Sequence, residues 1–175
     1  SSIEVRAPSK IDADEINRLR EIAPDLIFSF YYRAMIPKEV LDIPKLGAYN
    51  IHGALLPKYR GRACINWAVI NGEKETGATL HVMTESADRG DIIAQKAVPI
   101  EFEDTAHDVF LKVTEAAREI LMSSLPSLEN GTAKRYPQDE SKATKFGRRR
   151  PEDGEIDWNK SAEVIYNLVR ALTHP

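Results

Sequence analysis

The chain has 175 residues, 42% of them hydrophobic and 29% charged, the balance of a soluble globular protein with enough length for one sizeable core. A net charge of −3 gives no overall attraction to a nucleic-acid backbone. The single cysteine, Cys64, precludes an internal disulfide, and there is no signal peptide or apolar run of bilayer length, so the expectation is a cytoplasmic protein without membrane association.

In chain order, residues 3–6 read as a short strand closed by Pro8. Ser9 or Asp12 can cap a helix whose Ile11, Ile16, Leu19 and Ile22 fall near helical spacing, with Pro24 as its stop. Residues 25–32 are almost wholly apolar or aromatic, the pattern of a central strand buried on both faces. Pro37 opens a short helix through Leu41, and residues 48–52 form the next strand. Residues 63–71 read as a helix capped by Gly72, with Ile65, Val69 and Ile70 inward. Residues 76–84 and 92–100 are strands joined by the turn Asp88-Arg89-Gly90-Asp91, close enough to pair as a hairpin.

Thr105-Ala106-His107-Asp108 is a capping box. It starts the longest helix, with Val109, Phe110, Val113, Ala117, Ile120 and Leu121 on one face and Pro126 ending or kinking it. Residues 132–157 turn polar and read as an excursion that leaves the core. A last helix over 161–172 sets Val164, Leu168 and Leu172 on one side. Neither end carries a polar tail: Ser1-Ser2 runs straight into a strand pattern and Thr173-His174-Pro175 follows a helical one. The chain therefore reads as an excerpt of a longer protein. Alternating strands and helices give an α/β class with a mixed sheet. The absence of GxGxxG, Walker A, CxxC and HExxH patterns removes the usual dinucleotide, P-loop, zinc-ribbon and zincin readings.

The richest stretch runs from Tyr49 to Arg62. Asn50 and His52 are two apart on a strand and so share a face at its C-terminal end, where open α/β sheets hold ligands. An imidazole can relay a proton and an amide N–H₂ can support an oxyanion; the alternative is a histidine merely satisfied at a strand end. A carboxylate to set the histidine's charge is available in Asp88, which otherwise is a plain Asp-x-Gly turn. Asp91 competes with it, and at most one of the two can face His52. Arg60, Arg62 and Lys58 form either an anion site or a solvated basic loop. Trp67 and Asn66 read as packing and capping residues, His81 as structural, His107 as exposed, and Arg148-Arg149-Arg150 as a solvated or phosphate-touching run. Asn, His and Asp converging from neighbouring loops suit acyl or proton transfer at a carbonyl without metal. No nucleophile elbow is present, which favours direct attack by a bound amine or water over a covalent acyl-enzyme.

These motifs, Asn50-x-His52, Leu55-Leu56-Pro57-x-Tyr59-Arg60-Gly61 and Asp88-x-Gly90, resemble the catalytic domain of the formyltransferases that use 10-formyltetrahydrofolate. The segments from Phe28 to Arg33, His52 to Trp67, Glu75 to His81 and Phe146 to Arg149 are most similar to the branch that formylates UDP-4-amino-4-deoxy-L-arabinose, a branch tied to lipid A modification and polymyxin resistance. The resemblance implies a Rossmann-like domain with a mixed, mostly parallel sheet, N-terminally incomplete. Residues 1–131 would be the catalytic domain, and 132–175 a linker and the start of a C-terminal region. It makes Asn50, His52 and Asp88 the catalytic set: His52 as proton donor or acceptor, Asn50 as stabiliser of the tetrahedral intermediate, Asp88 as the group that raises the histidine's pKa. Folate contacts would fall on Ala34, Met35, Ile36, Arg62, Thr84, Glu85, Ser86, Ala87 and Asp88. The implied partners are 10-formyltetrahydrofolate as co-substrate and a nucleotide-linked amino sugar as acceptor, with no metal and with a homo-oligomer left open. Within the family the alternative is a methionyl-tRNA formyltransferase, the only reading that brings a nucleic acid; outside catalysis it is a folate-binding domain without turnover. Two positions depart from the family pattern: Ala54 stands where relatives usually have Ser, and Cys64 where they have Pro.

Overall fold

The computed structural model describes residues 3–32 and 34–173. Arg33, which closes the aromatic segment of the resemblance, lies outside the described residues, as do Ser1, Ser2, His174 and Pro175. A four-stranded sheet forms the centre. From one edge to the other its strands are β1 (Ile27–Phe30), β2 (Ala48–His52), β4 (Glu75–Val82) and β5 (Ile92–Pro99). A small second sheet pairs β3 (Arg60–Gly61) with β6 (Lys145–Phe146). The helices are α1 (Ala13–Ile22), α2 (Lys38–Leu41), α3 (Cys64–Ile70), α4 (Ala106–Glu129) and α5 (Ala162–Leu172).

The main sheet is mixed, as expected. β1 runs parallel to β2, whereas β2–β4 and the β4–β5 hairpin are antiparallel. Among the described residues the parallel pairing is thus confined to the β1 side. β4 is buried along almost its whole length, because α4 lies across β4 and β5 and the strand is hydrogen-bonded on both edges. Leu80, Val69, Val109 and Val113 are fully buried at this junction. Asp12 is the cap that α1 uses, its side chain accepting from the Glu15 N–H. The Thr105–Asp108 capping box of α4 is formed in both directions. Residues of α4 spaced three and four apart, from Ala106 through Val109, Val113, Ala116, Ile120 and Ser124 to Leu128, face inward.

Several expectations are corrected. Residues 3–6 form no strand: Ile3 and Val5 are 90% and 87% exposed and pair with no described strand. The aromatic run at 25–32 is an edge strand, with Phe30, Tyr31 and Tyr32 about half exposed rather than buried on both faces. Phe110 turns off the core face of α4 towards Tyr31, the ring centres 5.8 Å apart, and Pro126 sits inside α4 without ending it. On α5 the buried residues are Asn167, Arg170 and Ala171, while Val164 is exposed. Arg170 lies inside because its guanidinium donates to Asn167 Oδ1 and to the carbonyls of Glu101 and Asp104, which satisfies a buried charge.

The polar segment 132–157 does not leave the core. Tyr136 exchanges both backbone hydrogen bonds with Ile92 on β5. The Arg60 guanidinium, nearly fully buried, donates to Gln138 Oε1 and to both Glu140 carboxylate oxygens. Phe146 stacks on Tyr59 and Trp67 at 4.9 and 5.5 Å between ring centres. Gly61 makes this docking sterically feasible: its φ is +104° and a Cβ there would fall 2.1 Å from the Phe146 carbonyl oxygen.

Candidate active site

Asn50 and His52 end β2, and Asp88 reaches them from the turn after β4. Asp88 has φ +59°, a left-handed conformation that Asp tolerates better than most residues. The backbone N–H of Gly61 donates to Asp88 Oδ2 at 2.8 Å. Asp88 Oδ1 lies 3.5 Å from His52 Nδ1 and 3.7 Å from His81 Nε2. Asp88 is therefore the carboxylate that faces the histidine. Its turn is held from the far segment, where Gln138 Nε2 donates to the carbonyls of Asp88 and Gly90 at 2.9 and 2.7 Å.

Hydrogen-bond geometry settles much of the protonation. Tyr59 O can only accept, so His52 Nε2, 2.7 Å away, carries a proton and donates it there. The remaining nitrogen, Nδ1, faces the Asp88 carboxylate, an arrangement that favours a second proton. His52 is 7% exposed and burial alone would lower its pKa. The Cys64 side chain, the Asp88 carboxylate and the Tyr59 carbonyl outweigh burial and push it up to about 9. That push and the carboxylate beside Nδ1 favour the imidazolium form, with the second proton on Nδ1.

Asn50, His52 and Asp88 border one cavity of about 1100 Å³. Cys64, the first residue of α3, lines it with its thiol donating to Gly53 O at 3.2 Å. Arg62 also lines it. Its further walls are Tyr31, Tyr32 and Phe110 as an aromatic rim, His107 from the capping box, which was read as merely exposed, and Lys145, Arg148 and Arg149 as a cationic side. The pairing of β6 with β3 is what carries the Phe-Gly-Arg-Arg run to the cavity. Trp67 Nε1 donates to Gly147 O at 3.0 Å, and Asn66 Nδ2 to Ala171 O at 2.9 Å. Both residues thus tie α3 to the C-terminal region. Ala54 is fully buried.

The other anticipated contact residues fall in two places. Ala34, Met35 and Ile36 face Thr84, Ser86, Ala87 and Asp88 across a smaller cleft of about 110 Å³, which also touches Asn50 and His81. Glu85 is not among them: it borders an adjoining depression with Lys38 and Asp42, which shares Thr84 and Ser86 with the cleft. His81 was read as structural, yet it stands directly opposite Asn50 in the β2–β4 register and hydrogen-bonds it. The signal was present in the sequence only as a second histidine seven residues before Asp88. Among the described residues no cluster of His, Cys, Asp and Glu could hold a metal ion.

Residues 2–125 match the family model described as formyl transferase, and residues 148–175 the one described as formyl transferase, C-terminal domain. An N-formyltransferase from Helicobacter canadensis, solved with folinic acid and dTDP-3-aminofucose, is 27% identical, covers 87% of this chain and superposes with a TM-score of 0.76. WlaRD, a sugar 3N-formyltransferase solved with dTDP and 5-N-formyl-tetrahydrofolate, is 29% identical over 87% of this chain, TM-score 0.77. HypX from Aquifex aeolicus, solved with tetrahydrofolic acid, is 26% identical over 89%, TM-score 0.77. The chain spans 58%, 57% and 27% of these three relatives' own lengths.

Proposed function

The chain belongs to the formyl transferase family, and on that premise we propose that it transfers a formyl group from 10-formyltetrahydrofolate to the amine of a nucleotide-linked amino sugar. The observation that carries this reading is the convergence of Asn50, His52 and Asp88 on one cavity with a cationic side. The folate and dTDP-linked ligands of the Helicobacter and WlaRD structures support both substrate classes. In finer detail, the acceptor is of the UDP-4-amino-4-deoxy-L-arabinose type, as for the formyltransferase half of the polymyxin-resistance protein ArnA, which connects the chain to lipid A modification. The aromatic rim at Tyr31 and Tyr32 and the cationic run at Arg148 and Arg149 would then meet the nucleotide and its phosphates. The cleft between residues 34–36 and 84–88 would hold the folate ring. The catalytic domain is residues 1–131, with 132–175 as linker and start of the C-terminal region, and the setting is cytoplasmic. No described helix is long and apolar enough to cross a membrane.

The chemistry follows from the charges. The neutral sugar amine attacks the formyl carbon, a C–N bond forms, and the carbonyl oxygen becomes an oxyanion. Asn50 donates an N–H to it. The imidazolium of His52 supplies a proton from Nδ1 to N10 of the folate as the C–N10 bond breaks, and the proton released by the amine returns to the His52–Asp88 pair. Tetrahydrofolate leaves and the formamide remains. Asp88 keeps His52 charged, so that it starts the cycle as an acid.

The test is a formyl-transfer assay with 10-formyltetrahydrofolate and UDP-4-amino-4-deoxy-L-arabinose, a dTDP-amino sugar and methionyl-tRNA as competing acceptors. His52→Ala and Asp88→Ala should each lower kcat by about 10²–10⁴-fold. Near-normal turnover in a folded variant sinks the assignment. Preference for methionyl-tRNA, or folate binding without turnover on any acceptor, overturns the sugar reading.

A further inference from the structure

His81 takes no part in the reaction as written, yet it is 2% exposed and contacts two of the three groups that do. Its Nδ1 lies 2.9 Å from Val82 O. A carbonyl only accepts, so Nδ1 carries the proton. In the neutral ring Nε2 is then a bare lone pair, and it sits 3.1 Å from Asn50 Nδ2. The amide nitrogen of Asn50 must therefore face His81, since its oxygen would meet another acceptor. One amide N–H is committed to His81 and the second is left for the cavity.

We propose that His81 is a positioning residue that orients the Asn50 amide so that a donor, and not its carbonyl oxygen, meets the developing oxyanion. The inference rests on the reading of Asn50 as the oxyanion donor. The fold is built for the contact. Asn50 and His81 are cross-strand partners in β2–β4, whose side chains project on the same face. The register of β4 against β5 shifts between Leu80 and His81, a bulge of the kind that re-aims a side chain beside a site.

The orientation holds only while His81 is neutral. Protonated, Nε2–H would point at the Asn50 N–H₂; the amide would turn its oxygen to His81, and the N–H now left for the cavity would lose its position. The groups that bear on this charge come from each element around the ring. Asp88, in the β4–β5 turn, favours the proton; the His52 imidazolium on β2 and Arg60 on β3 oppose it. Ile92, the partner on β5, brings no charge. Burial is the largest influence and holds His81 below the ordinary histidine range despite Asp88 and the Val82 carbonyl. The two buried histidines of the site are thus poised oppositely, His52 charged and His81 neutral.

The experiment has two arms. In the first, ¹⁵N NMR of imidazole-labelled protein reads the His81 tautomer. A neutral Nδ1–H ring at pH 7 is expected, and an Nε2–H tautomer or an imidazolium overturns the inference. This arm needs no variant to fold. In the second, kcat is followed from pH 5 to 9. His81→Gln keeps an oxygen that can accept from Asn50 and cannot be protonated, so kcat at pH 7.5 should stay within about threefold and the acid-side fall should weaken. His81→Leu removes the acceptor and should lose roughly tenfold or more in kcat with little change in KM for the folate, short of the 10²–10³ of losing a donor outright. A wild-type kcat and pH profile in folded His81→Leu overturns the inference. Asn50→Ala separates the two failures: wild-type turnover there defeats the oxyanion reading itself. An inactive Asn50→Ala beside an unaffected His81→Leu defeats the His81 inference alone.

Discussion

Raising the pH should destabilise this protein through His52, and the size of the effect can be worked out. Its folded pKa is about 9 against 6.5 for the free group. A raised histidine stabilises the fold in full below the unfolded value, and that stabilisation is lost as pH climbs through the folded one. At about 1.36 kcal/mol per unit, the limit below pH 6.5 is about 3.4 kcal/mol; about 2.5 kcal/mol remains at pH 7 and almost none at pH 10. The comparison protein is His52→Gln, whose amide can still donate to Tyr59 O but carries no charge. Urea unfolding of both proteins at pH 7, 8.5 and 10 cancels the titration of the lysines and tyrosines they share. The stability gap between them should narrow by about 2.5 kcal/mol from pH 7 to pH 10. A gap that stays constant over this range would mean that His52 is neutral in the fold. The acid role given to its Nδ1 would then fall with it.

Two further substitutions probe the far segment's hold on the site. Gly61→Ala sets a Cβ 2.1 Å from the Phe146 carbonyl oxygen at a φ of +104°, so β6 must detach or the fold must yield several kcal/mol; Tm should fall and Trp67 fluorescence change, whereas wild-type values for both would contradict the packing. Gln138→Leu removes the donors to Asp88 O and Gly90 O and an acceptor for Arg60. It should cost about 1–3 kcal/mol and lower kcat with little effect on folate KM, and an unchanged kcat would show that Asp88 keeps its place unaided.

Much of the local structure was legible in the chain. Asn50 and His52 were recognisable as a pair because strand alternation puts residues two apart on one face, and the Thr105 box because a capping hydrogen bond spans only three residues. The β4–β5 hairpin was readable from its turn, and Asp88 from the glycine two residues on. The errors lie where a residue's partner is distant in sequence. Residues 3–6 have strand composition but pair with no described strand. α5 has an apolar stripe, but the face buried is the one whose Arg170 reaches the Glu101 and Asp104 carbonyls. Residues 132–157 look like a solvated excursion because polarity alone does not reveal that Gln138 and Glu140 are answering a buried Arg60. His81 looks structural until the β2–β4 register sets it opposite Asn50.

The sequence by itself determined which chemical groups are present and how the short-range elements form, including the amide, imidazole and carboxylate of the site. Only the tertiary structure decided their charge states and the direction each one points. Those depend on what lies within about 4 Å in a low-dielectric interior, and the groups that lie there, Tyr59 O and Gly61 N–H from one loop, His81 and Gln138, reach the site from three separate segments of the chain.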